Sequence, residues 1–259
     1  YGSYRFPRKK LWVSGIIIFF WIMLVIFLNS SSMEYHISGS LYINLYHLFP
    51  FVVASLVILH WSLYYFEGLN NPLGIDPRVQ TISFYPYFYV KELCSFFFLV
   101  FFLSILVVYY PNIISHPANY IPSNFMVTPA AIVPHWYFLP FYAILRSIPD
   151  KLGGVLAMFS AIIVLMILPF LNTSEVRSGS FRPLYVFSYW LFLLDFIILG
   201  WIGQGPLVTP FIEIGILATA YYFIFLLILL PAIGYIEYKL FYIRTYKCRF
   251  LAEEIILDE

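Results

Sequence analysis

Charge is scarce in this 259-residue chain: Asp, Glu, Lys and Arg together make up 10% of it, against roughly a quarter in soluble domains. Cysteine is scarcer still. Cys94 and Cys248 are the two in the chain, far apart and in no metal or redox spacing, so they read as ordinary thiols. The net charge of +1 lacks the basic footprint of a nucleic-acid binder and offers no pull on an acidic partner. Internal repeats and low-complexity tracts are absent. The N-terminal stretch from Tyr1 is basic and tyrosine-rich, unlike a signal or transit peptide, and is expected of a fragment or a processed product.

What remains is apolar: 62% hydrophobic residues, with 22% aromatic. One soluble core of this size cannot hide so much apolar surface, whereas lipid as the outer solvent removes the need for a water-compatible face. Six segments are apolar enough to cross about 30 Å of hydrocarbon as helices. They run Leu11–Leu28, Leu45–Phe66, Leu93–Tyr110, Gly153–Leu171, Pro183–Gly203 and Phe211–Tyr235. The expected fold is therefore an all-α, multi-span transmembrane bundle of about six helices. An even count puts both termini on one side, with Arg5, Arg8, Lys9, Lys10, Arg78, Lys91, Arg177, Arg182, Lys239, Arg244, Lys247 and Arg249. Only Arg146 and Lys151 then lie opposite. By the positive-inside rule the first side is the matrix or cytoplasm.

Two connections fall on the outer side. Asn29–Asn44 is short. Pro111–Leu152 is long and contains the aromatic-proline run IVPHWYFLPFY. From composition alone this run suits either a functional loop or an interfacial segment with Trp136 and Tyr137 in the headgroup belt. His47 and His60 lie toward opposite ends of the second span, about 20 Å apart along a helix. Imidazoles in lipid are functional candidates by default. As residues alone the pair fits axial ligation of two cofactors stacked across the bilayer, or hydrogen bonding to neighbouring helices.

Several strings resemble cytochrome b, the quinone-cycling subunit of the bc1 complex, in consistent order from about Tyr4 to Tyr238. RFPRKKLW resembles the start of its third helix, and HLFPFVVASLVILHW with EGLNNPLG its haem-bearing fourth helix and following turn. ISFYPYFYVKEL resembles the entry to the fifth helix, and NYIPSNFMVTPAAIVPHWYFLPFYAILRSIPDKLGG the loop lining the quinol-oxidation pocket. SFRPLYVFSYWLFLLDFIILGWIGQGP resembles the seventh helix and its exit.

The resemblance implies roles residue by residue. His60 would ligate the iron of the haem nearer the inner face and His47 that of the haem nearer the outer face, two haem b in all. The family's ligands stand about fourteen residues apart, close to four helical turns. Aligned on Pro50, that position holds Tyr46, one residue before His47. The outer motif, usually Pro-Glu-Trp-Tyr, reads Pro134, His135, Trp136, Tyr137. His135 would take the quinol proton in place of the glutamate, becoming cationic where a carboxylate becomes neutral. Tyr137 would bond or pack on the quinol, with Pro134 and Trp136 lining the pocket. Arg146 and Lys151 would face the iron–sulfur partner or serve as ordinary surface residues. At the inner site Tyr65 stands where the family often has histidine, Phe84 would pack on the quinone ring, and Lys91 with Glu92 would handle protons. Asp195, inside a span, is expected to be a buried structural hydrogen-bonder.

Two family features are missing from this sequence: the first two helices, each haem's other axial ligand with them, and the long excursion between the third and fourth helices. NSSSMEYHISGSLYIN stands in its place, with Glu34 and His36 as plain loop residues. The resemblance thus divides the chain into 1–66 (third and fourth helices), 67–152 (inner turn, fifth helix, outer pocket loop), 153–238 (three C-terminal spans) and a 239–259 inner tail. It implies a catalytic subunit of quinol–cytochrome c oxidoreductase, oxidising ubiquinol, reducing ubiquinone and coupling the electron flow to proton translocation. Implied partners are a Rieske iron–sulfur protein, cytochrome c1, other bc1 subunits in a dimeric complex, and a chain supplying the first two helices. The alternative is a non-catalytic structural subunit that has lost the outer quinol site. A channel or transporter would have only Asp195 and Glu213 to work with. The Phe, Tyr, Ile and Leu richness suits an A+T-rich organellar genome, hence the mitochondrial inner membrane ahead of a bacterial plasma membrane.

Overall fold

The computed structural model of the chain describes residues 1–5, 7–32, 39–68, 70–75, 81–113, 133–176, 178–240 and 242, with the side chains of residues 26–47 outside that description. Among the described residues there are seven α-helices and no strand: α1 (Lys9–Ser32), α2 (Gly39–Glu67), α3 (Tyr89–Tyr109), α4 (Leu139–Ser147), α5 (Lys151–Leu171), α6 (Pro183–Gln204) and α7 (Phe211–Ile224). A π-helical turn, Phe84–Phe88, leads into α3, and another, Phe225–Leu229, carries α7 onward as one apolar span to Leu240. The second π-turn lies just before Pro231, whose missing N–H already interrupts the hydrogen-bond ladder there.

Five helices are long and apolar enough to cross a membrane: Leu48–Glu67, Phe84–Tyr109, Lys151–Leu171, Pro183–Gln204 and Phe211–Leu240. They coincide with five of the six expected spans. The sixth coincides with α1, whose 24 residues reach about 36 Å. The all-helical, multi-span fold is thus as the composition required.

The chain forms two compact units, Tyr1–Ile75 with Tyr137–Glu259, and Asp76–Trp136. In the first, α1 packs on α2 and α5, while the short α4 packs against α5, α6 and α7. Two glycines make room for α4. A Cβ on Gly154 would stand 2.5 Å from the Leu145 carbonyl oxygen, and one on Gly203 would overlap the Leu139 carbonyl. The faces so joined bury Phe141, Ala143 and Ile144 of α4 with Leu199, Ile202, Tyr222 and Phe225. Arg146 fastens the far end of α4, donating to the carbonyls of Gly203 and Gly205 at 3.0 Å each. Those are carbonyls at the end of α6, where a cation is favoured.

Proline creates another tie. Pro169 inside α5 has no N–H to give the Leu165 carbonyl. Trp12 Nε1 donates to that carbonyl instead, at 2.7 Å, and so pins α1 to α5. At the other end of α6, Arg182 is fully buried and paired with Glu237 at 2.7 Å. Glu237 also accepts from the Tyr185 backbone N–H at 2.9 Å.

Two sequence expectations change. Asn29–Asn44 is not a connecting loop throughout, because α1 runs to Ser32 and α2 begins at Gly39. Ser and Asn cost a helix end only a few tenths of a kcal/mol, ~0.5. Within Pro111–Leu152, residues 139–147 form α4, its proline at the first turn where no N–H is needed. Glu34 and His36 lie outside the described residues.

Candidate functional site

His60 is half-buried on α2 and faces α1. Its Nδ1 stands 2.8 Å from Ser14 Oγ. The same hydroxyl donates to the Leu11 carbonyl at 2.9 Å. The next residue, Gly15, gives the ring its seat: a Cβ there would approach His60 Cε1 to 3.3 Å, closer than carbon contacts normally allow. Arg8 Nε ties the segment before α1 to the end of α2 by donating to the Gly68 carbonyl at 2.8 Å. Gly68 adopts φ +73°, the left-handed cap that ends a helix. Among the described residues His60 Nε2 has no hydrogen-bond partner. A neutral imidazole with one nitrogen held and the other open is the donor that a haem iron takes, so His60 fits the group its position implies. His47 is on the same helix, but its side chain lies outside the described residues.

Tyr65 lies five residues beyond His60 on the same helix, 69% exposed, its ring edge-on to Trp61 at 5.5 Å and to Tyr64 at 5.7 Å. The other expected inner-site residues belong to the second unit. There Phe84 stacks on Phe88 at 6.5 Å and 15°, and Lys91 and Glu92 stand exposed in the first turn of α3. Glu92 is well placed for the positive end of the helix dipole.

Of the expected outer motif, Pro134 is half-buried and His135 and Trp136 are exposed, all three in the second unit. Tyr137 opens the first unit's return and leads into α4. Burial pushes its phenol above the ordinary 10.0, so Tyr137 stays protonated and able to donate a hydrogen bond. Residues 114–132, which carry most of the preceding loop, are outside the described residues.

Ser14 has no signal in the sequence, since a lone serine in an apolar run makes no periodic pattern. Arg146, expected to face a partner or serve as an ordinary surface residue, donates to the carbonyls of Gly203 and Gly205, with its guanidinium over the Tyr142 ring at 5.3 Å. Asp195 is buried as expected, yet its Oδ2 has no hydrogen-bond partner among the described residues. Cys94 is a free, exposed thiol, and among the described residues no group of His, Cys, Asp and Glu could hold a separate metal ion.

The chain as a whole is similar to known proteins. The family model described as cytochrome b (C-terminal)/b6/petD matches residues 122–223. The cytochrome b of Chondrus crispus is 42% identical over 272 residues, covering 92% of this chain and 71% of that protein. That of Rickettsia prowazekii (strain Madrid E) is 41% identical, covering 92% and 69%. Among solved structures, a chain of a hyperthermophilic respiratory Complex III superposes with a TM-score of 0.81 at 25% identity, covering 92% of this chain and 73% of that one. Apolar helices, the histidine within one of them, and matched length and order lead to one conclusion: this chain belongs to the cytochrome b family.

Proposed function

We propose that this chain is the membrane electron-transfer subunit of a respiratory bc1-type complex III, a quinol–cytochrome c oxidoreductase. The observation that carries the reading is His60, an imidazole in an apolar span with Nδ1 on Ser14 and Nε2 without a hydrogen-bond partner among the described residues. Two b haems would supply one-electron carriers across the bilayer. His60 would hold the iron of the inner one and His47 that of the outer.

The remaining chemistry is proton handling and positioning. At an outer site Tyr137 donates a hydrogen bond to the quinol, His135 takes up a quinol proton, and Pro134 and Trp136 pack on the ring. At an inner site Tyr65 donates to a quinone carbonyl, Phe84 packs on its ring, and Lys91 and Glu92 deliver protons. Release on one side and uptake on the other couple the electron flow to proton translocation. In sequence terms 1–66 would hold the haems, 67–152 would link the two quinone sites, 153–238 would complete the bundle, and 239–259 would be an inner tail. The charge asymmetry supports both termini on the inner side, and a Rieske protein, cytochrome c1 and a second copy of the complex would complete the assembly. The mitochondrial inner membrane is the proposed location.

The test is a reduced-minus-oxidised spectrum of the isolated complex with haem stoichiometry. Two b haems, both diminished when His47 and His60 are replaced, are expected. A single haem indifferent to His47→Ala would favour a structural subunit without outer-site catalysis. No b haem would overturn the proposal.

A further inference from the structure

We propose that Ser14 is a positioning residue for His60, setting which ring nitrogen is free and how strongly it donates. The inference rests on the reading of His60 as a haem ligand given above. Ser14 Oγ carries one proton and makes two short contacts, 2.9 Å to the Leu11 carbonyl and 2.8 Å to His60 Nδ1. A carbonyl can only accept. The hydroxyl proton therefore goes to Leu11, and the second contact is satisfied by Nδ1–H donating to Oγ. That assignment makes Nε2 the nitrogen with the lone pair, the one without a protein partner among the described residues. The relay runs from Nδ1–H on α2 to Oγ–H and carbonyl on α1, one residue from Gly15, whose missing Cβ lets the ring edge approach.

The arrangement has three consequences. It selects the tautomer before any cofactor arrives. It fixes the ring's rotation, because Oγ is held by its own helix three residues back. It also polarises the imidazole: an acceptor on Nδ1–H raises the basicity of the opposite nitrogen, which favours the ferric over the ferrous state of a bound iron.

Ser14→Val and Ser14→Thr test this in the assembled complex, since the two side chains match in size and differ in the hydroxyl. The readout is the midpoint potential of the b haems by redox titration, with the haem content of the same sample. Ser14→Val is expected to raise one of the two midpoint potentials and to weaken haem retention about ten- to a hundredfold, the usual range for losing such a partner. Ser14→Thr is expected to hold both at the parent values, and Ser14→Ala to follow Val. Equal potentials and haem content in the Val, Ala and Thr variants would overturn the role of Ser14. His60→Ala separates the premise: both b haems retained in that variant would overturn the ligation itself, whatever Ser14 does.

Discussion

At the scale of single residues, the decisive groups are polar atoms held in an apolar setting. Tyr222 is fully buried, and its hydroxyl donates to the Ala161 carbonyl at 2.9 Å. Tyr222→Phe should therefore lower stability by about 1 kcal/mol, read as a small fall in the thermal midpoint of the solubilised complex. An unchanged midpoint would mean that the bond contributes nothing. Tyr137 provides a pH test. Its raised phenol is protonated throughout the range below 10.0, so it does not titrate in a working assay. Tyr137→Phe should slow quinol oxidation while leaving the shape of the pH–rate profile below that value unaltered, and a displaced limb would assign Tyr137 a titrating role. Above its unfolded value the folded state holds the proton more tightly than the unfolded chain, so rising alkaline pH erodes stability through this group. At this scale the sequence is uneven evidence. His60 is legible because an imidazole in lipid demands a reason, while Ser14 is not, since a hydroxyl can satisfy itself on its own helix and needs none. Arg146 is conspicuous as a charge, but its partners at Gly203 and Gly205 lie more than fifty residues on, beyond the reach of any local pattern.

At the scale of helices, backbone defects on one element are matched by groups on another. The Leu165 carbonyl is freed by Pro169 and taken by Trp12. Trp12→Phe should cost about 1–3 kcal/mol, the penalty for a buried acceptor left alone. Pro169→Ala restores the missing N–H, so in that background the same Trp12→Phe change should cost less. A double-mutant cycle on thermal stability checks it, and additive effects would show that the two residues are independent. Gly203 and Gly200 supply a second contrast. A Cβ at Gly203 would overlap the Leu139 carbonyl, whereas at Gly200 its nearest neighbour is the Pro140 ring at 3.7 Å. Gly203→Ala should destabilise by about 1–3 kcal/mol or more and Gly200→Ala hardly at all, by protease resistance of the solubilised complex. Spans α5, α6 and α7 with its continuation to Leu240 are legible from composition because long, predominantly apolar stretches of about twenty residues suit a membrane-crossing helix. Helix α4 is not: nine residues with a proline in the first turn carry too little pattern, and what makes them helical is the seat offered by α5, α6 and α7.

At the scale of the whole molecule, the proposed orientation rests on where the cations fall. One of those counted, Arg182, is neutralised within the protein by Glu237, so the asymmetry open to the membrane is slightly smaller than the sequence suggests. The topology still makes a definite expectation. With Cys94 and Cys248 first replaced by serine, a single cysteine introduced at Lys239 should react with an impermeant thiol reagent from the same side as one introduced at Tyr1, and one at Lys151 from the opposite side. Reaction of all three from one side would overturn the proposed orientation.

The dependence of α4 on its neighbours also bears on how the protein is made. Synthesis delivers residues 139–147 to the membrane before α5, α6 and α7, yet the faces that receive α4, at Gly154 and Gly203, belong to those later helices. A helix of nine residues is marginal by itself. Helix α4 therefore waits, undocked, until α7 has been inserted, and an arrest of translation after α5 would leave residues 139–147 without the seat at Gly203. The order of synthesis thus runs opposite to the order of support: the shortest helix is made before the helices that seat it.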